Sequence, residues 1–478
     1  MKVLAIDQST SATKAFTYDS DGRFEPVGTL DHAQHYPAPG RVEHDAEEIL
    51  ANILTLIDRA GPVDAIGIDN QGETVVAWDA VTGRALGPAI VWQDDRTRDV
   101  TEALKAQGAE PLTQERAGLP LDPYFSATKL AWMLEHRPEV AAAAREGRLR
   151  MGTSDAFFLD RLTGVFATDV TTASRTSLMA MATLDWDDDL LRLFAVPRGL
   201  LPEVRATTGP FGSHRGIPVT ASLVDQQAAL FGHGADQPGA TKITFGTGAF
   251  ALAITGAGRP EGAGGLSATV AWAMGGGPAT FALEGGVYNA GSAVKWARSI
   301  GLFSDYSELN EIRDATALSR GLCFVPALSG LAAPHWDRGA AGLWIGMGLD
   351  TTRADLMQAV LEGVALRAAE VVGAMGQAVP LSGPLSGPLS GPVSIDGGMS
   401  ANPAFGQFLA NALGREVVVA GAADLTALGT ARMAMKGAGV RDLPPLPPPA
   451  GRYRADQPLS DADHARFAAA VDRARGWR

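Results

Sequence analysis

Residues 222–250 read SLVDQQAALFGHGADQPGATKITFGTGAF and contain two features that bear on both fold and chemistry. Asp225 opens a short apolar segment that is typical of a helix, so its carboxylate would stand at a helix N-terminus, where free N–H groups and positive potential collect. Further along, Phe245–Gly248 is a predicted turn between two apolar strands, Lys242–Phe245 and Ala249–Ile254. The glycines of that turn let backbone amides approach an oxyanion closely.

Two interpretations of this stretch are equally good when it is taken alone. A carboxylate base beside a cradle for phosphate oxygens is what the transfer of a phosphoryl group to a hydroxyl requires. A solvated helix cap followed by an ordinary hairpin would use the same residue types. The rest of the chain has to decide between the two.

A second hairpin with the same plan lies at the start of the chain. The strand Lys2–Ile6 ends at Asp7, and the hydroxyl-rich turn Gln8–Thr13 leads into a return strand, Lys14–Tyr18. Backbone N–H groups, hydroxyls and the ammonium of Lys14 can hold phosphate oxygens there, although a Ser/Thr-rich hairpin tip is commoner for any such turn taken singly. Two similar hairpins, each opening one half of the chain, predict duplicated domains that face one nucleotide.

The composition is typical of a soluble globular protein with two large domains. The chain has 478 residues, 46% hydrophobic and 19% charged, which is too long for one core. No apolar run approaches the roughly 20 residues of a membrane span, and MKVLAIDQ is a first strand rather than a secretory signal. A formal charge of −13 argues against nucleic acid as a partner. Because Cys323 is the only cysteine, an internal disulfide is excluded, and we expect a cytoplasmic protein.

The remaining segments alternate between strand and helix patterns, which predicts an α/β fold. Polar residues follow predicted strands at 70–73 and 93–96, where α/β proteins often bind ligands, although loop solvation explains any single charge equally well. The acidic run 187–189 is interpreted as a helix N-terminus rather than a metal site. The Leu-Ser-Gly-Pro repeat within 380–392 predicts a surface linker.

Signatures of several other enzyme classes are absent from the sequence. There is no GxxxxGK[ST] phosphate loop and no GxGxxG that opens a helix after a strand. The eight histidines show no HExxH spacing, and no GxSxG motif is present.

Several long motifs resemble the FGGY family of carbohydrate kinases, and within it the glycerol kinases most. They run nearly from end to end: AIDQST, GRVEHDAEEI, IGIDNQGET, AIVWQDDRT, GLPLDPYFSATKL, TDVTTASRTSL, LDWDDDLL, DQQAALFG, TFGTGAF, ALEGGVYNAG, VPALSGLAAPHWD and IDGGMSANPAF. The resemblance implies two ribonuclease H-like (actin-like ATPase) domains, which we place at 1–232 and 233–478, with the active site in the cleft between them. It also implies ATP and Mg²⁺ as cofactors and a polyol or sugar as substrate. Homodimers and homotetramers both occur in the family, so either assembly is expected.

The same resemblance assigns roles around the polyol. Asp225 would be the general base that takes the proton of a primary hydroxyl as this attacks the γ-phosphate. The residues expected to bind the substrate are Gly72, Glu73, Trp92, Tyr124, Asp225, Gln226 and Phe250. Of these, the polar side chains would bind hydroxyl groups, and Trp92 and Phe250 would be apolar walls against the carbon chain.

A second set of roles concerns the nucleotide. Asp7 would lie near Mg²⁺, and Asp225 is the other residue expected at the metal. The residues expected to contact the nucleotide are Thr10, Ser11, Ala12 and Lys14 at the first turn, Thr247 at the second, and Gly291, Lys295, Gly398 and Asn402 around the adenine nucleotide.

The sequence departs from the family pattern at Gly72, where glycerol kinases carry an arginine that binds glycerol hydroxyls. One hydrogen bond from a charged donor contributes about 1.5–3 kcal/mol, so glycerol should bind more weakly, and the missing side chain should open space. Erythritol, threitol, ribitol or xylulose therefore compete with glycerol as the predicted substrate. A milder departure is Ser9, where the family usually has glycine, and another is Lys295 in place of a glutamine.

Two functions of other classes are also weighed. An actin-like ATPase would share the hairpins but would not need the residues that surround a polyol. A catalytically weak polyol sensor is supported by Gly72 alone. We therefore predict a polyol kinase first.

Overall fold

The structure is a computed structural model that describes residues 1–260, 264–310, 315–378, 389 and 391–478. Most of the Leu-Ser-Gly-Pro repeat lies outside the described residues, so the linker stays a prediction. On either side of it, the helix Arg353–Ala378 ends and the strand Val393–Gly397 begins. None of the helices in these described ranges is long and apolar enough to cross a membrane.

Strands and helices alternate along the chain, which confirms the predicted α/β class. The strands of the first half are β1 (Lys2–Gln8), β2 (Ala12–Asp19), β3 (Phe24–Asp31), β4 (Gln34–His35), β5 (Glu43–His44), β6 (Ala65–Asn70), β7 (Val75–Asp79), β8 (Ala89–Ile90), β9 (Leu149–Thr153), β10 (Ala167–Asp169), β11 (Met179–Ala180), β12 (Asp185–Trp186), β13 (Glu203–Arg205), β14 (Ser213–His214) and β15 (Ile217–Val224). Those of the second half are β16 (Thr241–Phe245), β17 (Ala249–Gly256), β18 (Ser267–Ala273), β19 (Ala279–Val287), β20 (Cys323–Val325), β21 (Leu343–Ile345), β22 (Val393–Gly397), β23 (Val417–Val419) and β24 (Gly451–Tyr453). The helices are α1 (Ala46–Arg59), α2 (Arg98–Ala106), α3 (Glu110–Arg116), α4 (Ser126–His136), α5 (Pro138–Arg145), α6 (Ser154–Thr163), α7 (Val170–Ala173), α8 (Asp188–Leu193), α9 (Asp225–Gly232), α10 (Gly291–Ser299), α11 (Arg353–Ala378), α12 (Pro403–Leu413), α13 (Leu425–Gly437) and α14 (Asp461–Ala474).

The first sheet has the strand order β14-β15-β6-β1-β2-β3. β15, β6 and β1 are parallel neighbours, whereas β2 and β3 return antiparallel. Asp7 in β1 pairs in register with Lys14 on one side and with Asp69 on the other. Three charged residues therefore lie side by side at the edge of the sheet where β15 ends and α9 begins.

The second sheet has the order β18-β19-β17-β16-β22-β23-β24. Its five strands β19-β17-β16-β22-β23 repeat the plan of β3-β2-β1-β6-β15, with parallel and antiparallel neighbours at the same places. The duplication predicted from the two hairpins is confirmed by this correspondence.

Two apolar segments form strands over only part of their length. In 89–92 the strand ends at Ile90, because the N–H of Trp92 donates to the side-chain oxygen of Thr74 instead of a neighbouring strand. In 321–327 the strand is confined to Cys323–Val325, since the Ala327 N–H donates back to the Val325 carbonyl.

Helix α13 comes from the second half of the sequence but packs on the first sheet. Its apolar residues share a buried core with Val3 and Ala5 of β1, whereas the alternate residues Leu4 and Ile6 face α1 on the opposite side. A Cβ added to Gly67 in β6 would lie 2.8 Å from the carbonyl oxygen of Thr430 in α13. Only a glycine allows so close an approach. The domain division between residues 232 and 233 stays a prediction, and α13 crosses it in space.

Aspartate side chains cap the N-termini of several helices. The side chains of Asp45 and Asp424 accept N–H groups from the first turns of α1 and α13. Asp187 accepts from the N–H groups of Asp189 and Leu190, at 2.9 and 3.1 Å. The interpretation of the run 187–189 as a helix N-terminus is thereby confirmed.

Candidate active site

Asp225 is the first residue of α9 and directly follows the buried strand β15. Burial raises the pKa of its carboxyl group to about 7, and the negative charges of Asp7 and Glu73 add to this effect. The positive charge of Lys242 acts in the opposite direction. A carboxyl group with a pKa near neutrality, close to an acidic group of β1 and another in the turn between β6 and β7, is suited to taking up a proton.

Asp7 belongs to a cluster of charged groups at the carboxyl ends of β1 and β6. The Nζ of Lys14 lies 3.6 Å from Asp7 Oδ2 and donates a 2.7 Å hydrogen bond to Asp424 Oδ2. Thr430 Oγ1 donates to Asp69 Oδ2 at 2.6 Å. Burial raises the pKa of Asp7 to about 6 and raises that of Asp69 well above its ordinary value.

The sequence patterns did not point to Asp69 or Asp424. Asp69 is the next-to-last residue of β6, within the motif IGIDNQGET, and its place near a strand end was the one signal available. Asp424 is 410 positions from Lys14 in the chain, and α13 brings the two together. No local pattern could have predicted that ion pair.

Asp7, one of the two residues expected at Mg²⁺, fits a hydrated cation rather than a cage made of protein ligands, whereas a metal role of Asp225 stays a prediction. Within the described ranges, no group of three or more His, Cys, Asp or Glu side chains is arranged to hold a metal ion. In the same part of the chain, Asp7 Oδ1 and Asp69 Oδ1 are buried and have no hydrogen-bond donor. Because Mg²⁺ usually binds one or two carboxylates and keeps several waters, these oxygens suit it.

Three aromatic side chains expected around the polyol come together. The ring centroid of Trp92 is 5.7 Å from that of Tyr124 and 6.5 Å from that of Phe250, and the rings meet edge to face. Trp92 Nε1 donates to Thr10 Oγ1 at 3.0 Å, which joins this wall to the first turn. Burial raises the pKa of Tyr124, and the charge of Asp225 is among those that add to the effect. The aromatic wall and the candidate base are therefore neighbours.

Glu73 is held by an arginine to which the sequence analysis assigned no role. Arg175 Nε donates to Glu73 Oε1 at 2.7 Å, and its Nη2 donates to Glu284 Oε1 at 3.0 Å. The guanidinium is fully buried, and its Cζ lies 5.9 Å from the ring centroid of Tyr124. Buried charges need such pairing. Arg175 thus fixes one carboxylate from each half of the chain.

The space expected beside Gly72 is partly filled. A Cβ added to Gly72 would lie 3.2 Å from Val224 Cγ1 and 3.8 Å from Arg175 Cγ. Val224 therefore occupies the direction in which an arginine side chain would leave the backbone. The isopropyl group of Val224 therefore bounds the space at the Cβ position of Gly72, and the expectation that the missing arginine opens space for a larger substrate stays a prediction.

The first turn is closed by its own backbone. The Ser9 N–H and Oγ both donate to the Ala12 carbonyl, at 3.0 and 2.9 Å, and the Ser11 carbonyl accepts from His32. Ser9 is not among the residues with positive φ, so a serine fits where the family has glycine. Thr10, Ser11 and Ala12 are thereby presented together at the end of β1.

A cavity of about 570 Å³ adjoins the second turn. The residues expected at the nucleotide that line it are Thr247, Gly291, Lys295, Gly398 and Asn402. Its wall also contains aromatic and apolar residues that the sequence patterns did not indicate, among them Tyr306, Leu309, Leu361, Met399 and Phe405. Apolar walls with a few polar groups are typical of small-molecule sites.

The start of α10 is packed tightly against this turn. The Gly291 N–H donates to the Gly246 carbonyl at 3.0 Å, and a Cβ on Gly291 would lie 2.5 Å from that oxygen. The N–H groups of Ala290 and Ser292 donate to the Thr247 carbonyl. A helix N-terminus that lines the cavity favours phosphate groups.

Asn402 lines the same cavity but uses its side chain within the protein. Its Oδ1 accepts from the Phe405 N–H at 2.8 Å and caps α12, and its Nδ2 donates to the Leu309 carbonyl at 3.2 Å. It therefore shapes the wall by holding two other cavity residues in place.

The predicted site residues thus fall into two groups. The first surrounds Asp225 and contains the polyol residues together with Asp7 and Lys14, with Gln226 held by Lys242 of β16. The second lines the cavity beside β16 and β22. The turn Gly246–Gly248 lies at the end of the strand that carries Lys242 and is therefore close to both groups.

Two family models match the chain. The N-terminal domain of the FGGY family of carbohydrate kinases matches residues 2–232, and the C-terminal domain of that family matches residues 241–438. Among curated relatives, the glycerol kinase of Thermus brockianus is 44% identical, with 99% of each chain covered. The glycerol kinase of Geobacter sp. (strain M21) is 42% identical and covers 92% of this chain and 91% of its own length.

Solved structures give the same result. Plasmodium falciparum glycerol kinase with ADP superposes with a TM-score of 0.89 at 30% identity, covering 99% of this chain and 98% of the other. A xyloylose kinase from Brucella ovis superposes with a TM-score of 0.84 at 24% identity, over 99% and 98% of the two chains, and this match supports the fold alone. The predicted pair of ribonuclease H-like domains is thus confirmed. The chain belongs to the FGGY family of carbohydrate kinases and is an ATP-dependent kinase that resembles glycerol kinases.

Proposed function

We propose that this kinase transfers the γ-phosphoryl group of ATP to a primary hydroxyl of a small polyol, with Asp225 as the general base. The observation that carries the proposal is the position of the Asp225 carboxyl group. It lies close enough to Asp7, on the side of the first phosphate turn, and to Glu73, on the polyol side, for both charges to raise its pKa. Transfer to a hydroxyl requires a base between the two reactants.

Each part of the site has one task in this mechanism. Asp225 accepts the hydroxyl proton as the substrate oxygen forms its bond to the γ-phosphorus and the bond to the β-phosphate oxygen breaks. Lys14 and backbone N–H groups of the two turns neutralise phosphate charge. Mg²⁺, when bound through Asp7 and water, supplies further neutralisation. Trp92 and Phe250 exclude water that would otherwise hydrolyse ATP.

Glycerol, or a sugar alcohol of similar size, is the substrate that we propose first. Val224 limits the room beside Gly72, while Glu73 and Tyr124 remain near the base to bind hydroxyl groups. A larger polyol or a ketose is the second candidate, because Gly72 lacks the guanidinium that glycerol kinases use at this position.

A substrate panel tests this choice. We expect kcat/KM to be highest for glycerol when glycerol, erythritol, threitol, ribitol and xylulose are compared at saturating ATP with coupled detection of ADP. A value at least tenfold higher for a tetritol, a pentitol or xylulose would establish the second candidate instead. ATP consumption that no polyol or ketose increases would contradict the proposal as a whole.

The two functions of other classes give different results in the same assay. An actin-like ATPase would consume ATP at a rate independent of polyol, and a polyol sensor would bind a polyol without turnover.

A cytoplasmic location, the absence of a nucleic acid partner and a homodimer or homotetramer stay predictions. Cell fractionation, a nucleic acid binding assay and analytical ultracentrifugation, respectively, check them.

A further inference from the structure

Lys242 is a buried cation that has no task in the mechanism above. It lies in β16, the strand that leads into the second phosphate turn, and its side chain is fully buried. Its Nζ donates to Gln226 Oε1 at 2.7 Å and to Thr244 Oγ1 at 3.0 Å. Because Gln226 belongs to α9, the first of these bonds joins the two halves of the chain.

This bond determines which way the Gln226 amide faces. An ammonium group has donors and no acceptor, so the amide atom that faces Lys242 has to be the oxygen. The Nε2 group then points away from Lys242. Across the described part of the chain, Gln226 Nε2 donates no hydrogen bond. Gln226 is only partly buried, whereas Lys242 is fully buried, so the accessible end of the amide is its NH₂ group.

The ammonium itself is firmly held. Burial lowers the pKa of Lys242, whereas the negative charges of Asp396, Asp225 and Glu284 act in the opposite direction and favour the ammonium form. A buried cation surrounded by acidic groups is strongly constrained, since either charge alone would be costly to bury. The Gln226 amide is therefore attached to a fixed point of the second sheet.

We propose that Lys242 is a positioning residue that turns the Gln226 amide so that Nε2 donates to the oxygen of the reacting hydroxyl. This inference rests on the proposed function. The adjacent Asp225 carboxylate accepts the proton of the same hydroxyl, so the two neighbouring side chains present one donor and one acceptor. A hydroxyl satisfies both, whereas a carboxylate has no proton to donate and an ammonium has no lone pair to accept with. Lys242 thereby contributes to selection of a neutral alcohol.

The first test changes Gln226 and leaves the buried charge intact. Gln226→Glu keeps an oxygen for Lys242 but has no NH₂ group, and Gln226→Ala removes both. We expect each variant to raise the KM for the polyol about tenfold or more, with the KM for ATP within about threefold of wild type. A Gln226→Glu enzyme with the wild-type KM for the polyol would overturn the proposal, because the donor would then be unnecessary.

The second test asks whether Lys242 acts through Gln226. Lys242→Met in the wild-type background should raise the polyol KM about tenfold, and the same substitution in the Gln226→Ala background should change it less than about threefold. Lys242→Arg, which keeps a donor toward Oε1, should restore part of the loss. Equal effects of Lys242→Met in the two backgrounds would show independent action and overturn the proposal.

Folding and the proposed function are controlled separately. Lys436→Met, a change at a lysine of α13 that donates to the Arg441 carbonyl, serves as the matched control and should leave both KM values unchanged. If Lys242→Met does not fold, Lys242→Arg in the two backgrounds gives the same comparison. Absence of polyol turnover in the wild-type enzyme would refute the proposed function, whereas normal turnover with additive variants would refute the role of Lys242 alone.

Discussion

The two hairpin turns of this kinase share a strand framework and differ in chemistry. Close to the first turn, Asp7 pairs in register with Lys14 and Asp69. At the end of the second hairpin, Phe245 pairs with Ala249 and Gly397. One turn therefore ends in a charged cluster, and the other ends beside a cavity of about 570 Å³ with largely apolar walls.

The difference shows how a duplicated framework can serve two tasks. Backbone hydrogen bonds determine where the strands end, and they do so in the same way in both sheets. The side chains at those ends are free to differ, so burial acts on carboxyl groups in the first sheet and raises the pKa of Asp7 to about 6. In the second sheet, glycines and aromatic rings define a shape instead. The first turn thus lies beside a cluster of charged groups, and the second turn lies beside a shaped cavity.

The largest expected effect comes from a change beside the first turn, where the charged cluster lies. Asp225→Asn keeps the size of the side chain and removes the base, so we expect kcat to fall about 10²–10⁴-fold while the KM values for polyol and ATP stay within about threefold. Because burial raises the Asp225 pKa from 3.8 to about 7, ionisation of this group costs folding stability increasingly between pH 3.8 and 7, and the full cost is present above pH 7, so the variant should melt at a temperature no lower than wild type at pH 8. A near-normal kcat would remove Asp225 from the role of base.

The next largest effect comes from a change at the cavity beside the second turn. Gly291→Ala would place its Cβ 2.5 Å from the Gly246 carbonyl oxygen and push α10 away from the turn. Overpacking of this kind costs about 1–3 kcal/mol, so we expect the KM for ATP to rise about 30-fold with little change in the KM for the polyol. Gly373→Ala, within α11 and with no atom of the described residues within 4 Å of its added Cβ, is the matched control and should leave both KM values unchanged. Equal losses for the two substrates would contradict the separation of the cavity from the charged cluster.

The smallest expected effect is a difference in pH dependence between turnover and nucleotide binding. The base has to be ionised to accept a proton, and the pKa of Asp225 is about 7, so kcat/KM for the polyol should fall about tenfold for each unit of pH below 7 and level off above it. Binding of nucleotide to the cavity, followed with ADP by calorimetry, should change less over the same range. A kcat/KM profile that stays flat down to about pH 5.5 would show that no group with a raised pKa acts as the base.

Many of the hairpins and helix starts were predictable, because the sequence patterns that indicate them are local. The two hairpins, the helix N-terminus at 187–189 and the helix that starts at Asp225 each depend on residues within a few positions of one another. Residue types at strand ends likewise indicated the acidic group Asp7 and the glycine turn after Phe245. Each of these features appears in the structure within a few residues of its predicted place.

The partners of the site residues were not predictable in the same way. Arg175 meets Glu73 and Glu284 only because three separate elements converge. Val224 bounds the space beside Gly72, although neither local sequence shows that these two residues are neighbours. Such contacts join residues from distant parts of the chain, and single-sequence patterns carry no information about them.

The sequence by itself determined the α/β class, the duplicated hairpins and the residue types that a phosphoryl transfer site needs, because periodicity, capping and turn chemistry act over short stretches of chain. Only the tertiary structure decided which of those groups are neighbours. In the folded chain, α13 packs on the first sheet, Lys14 donates a hydrogen bond to Asp424, and the ammonium of Lys242 donates one to the Gln226 amide oxygen. Burial raises the pKa values and sheet packing sets the distances, and both arise only when distant segments meet in the folded chain.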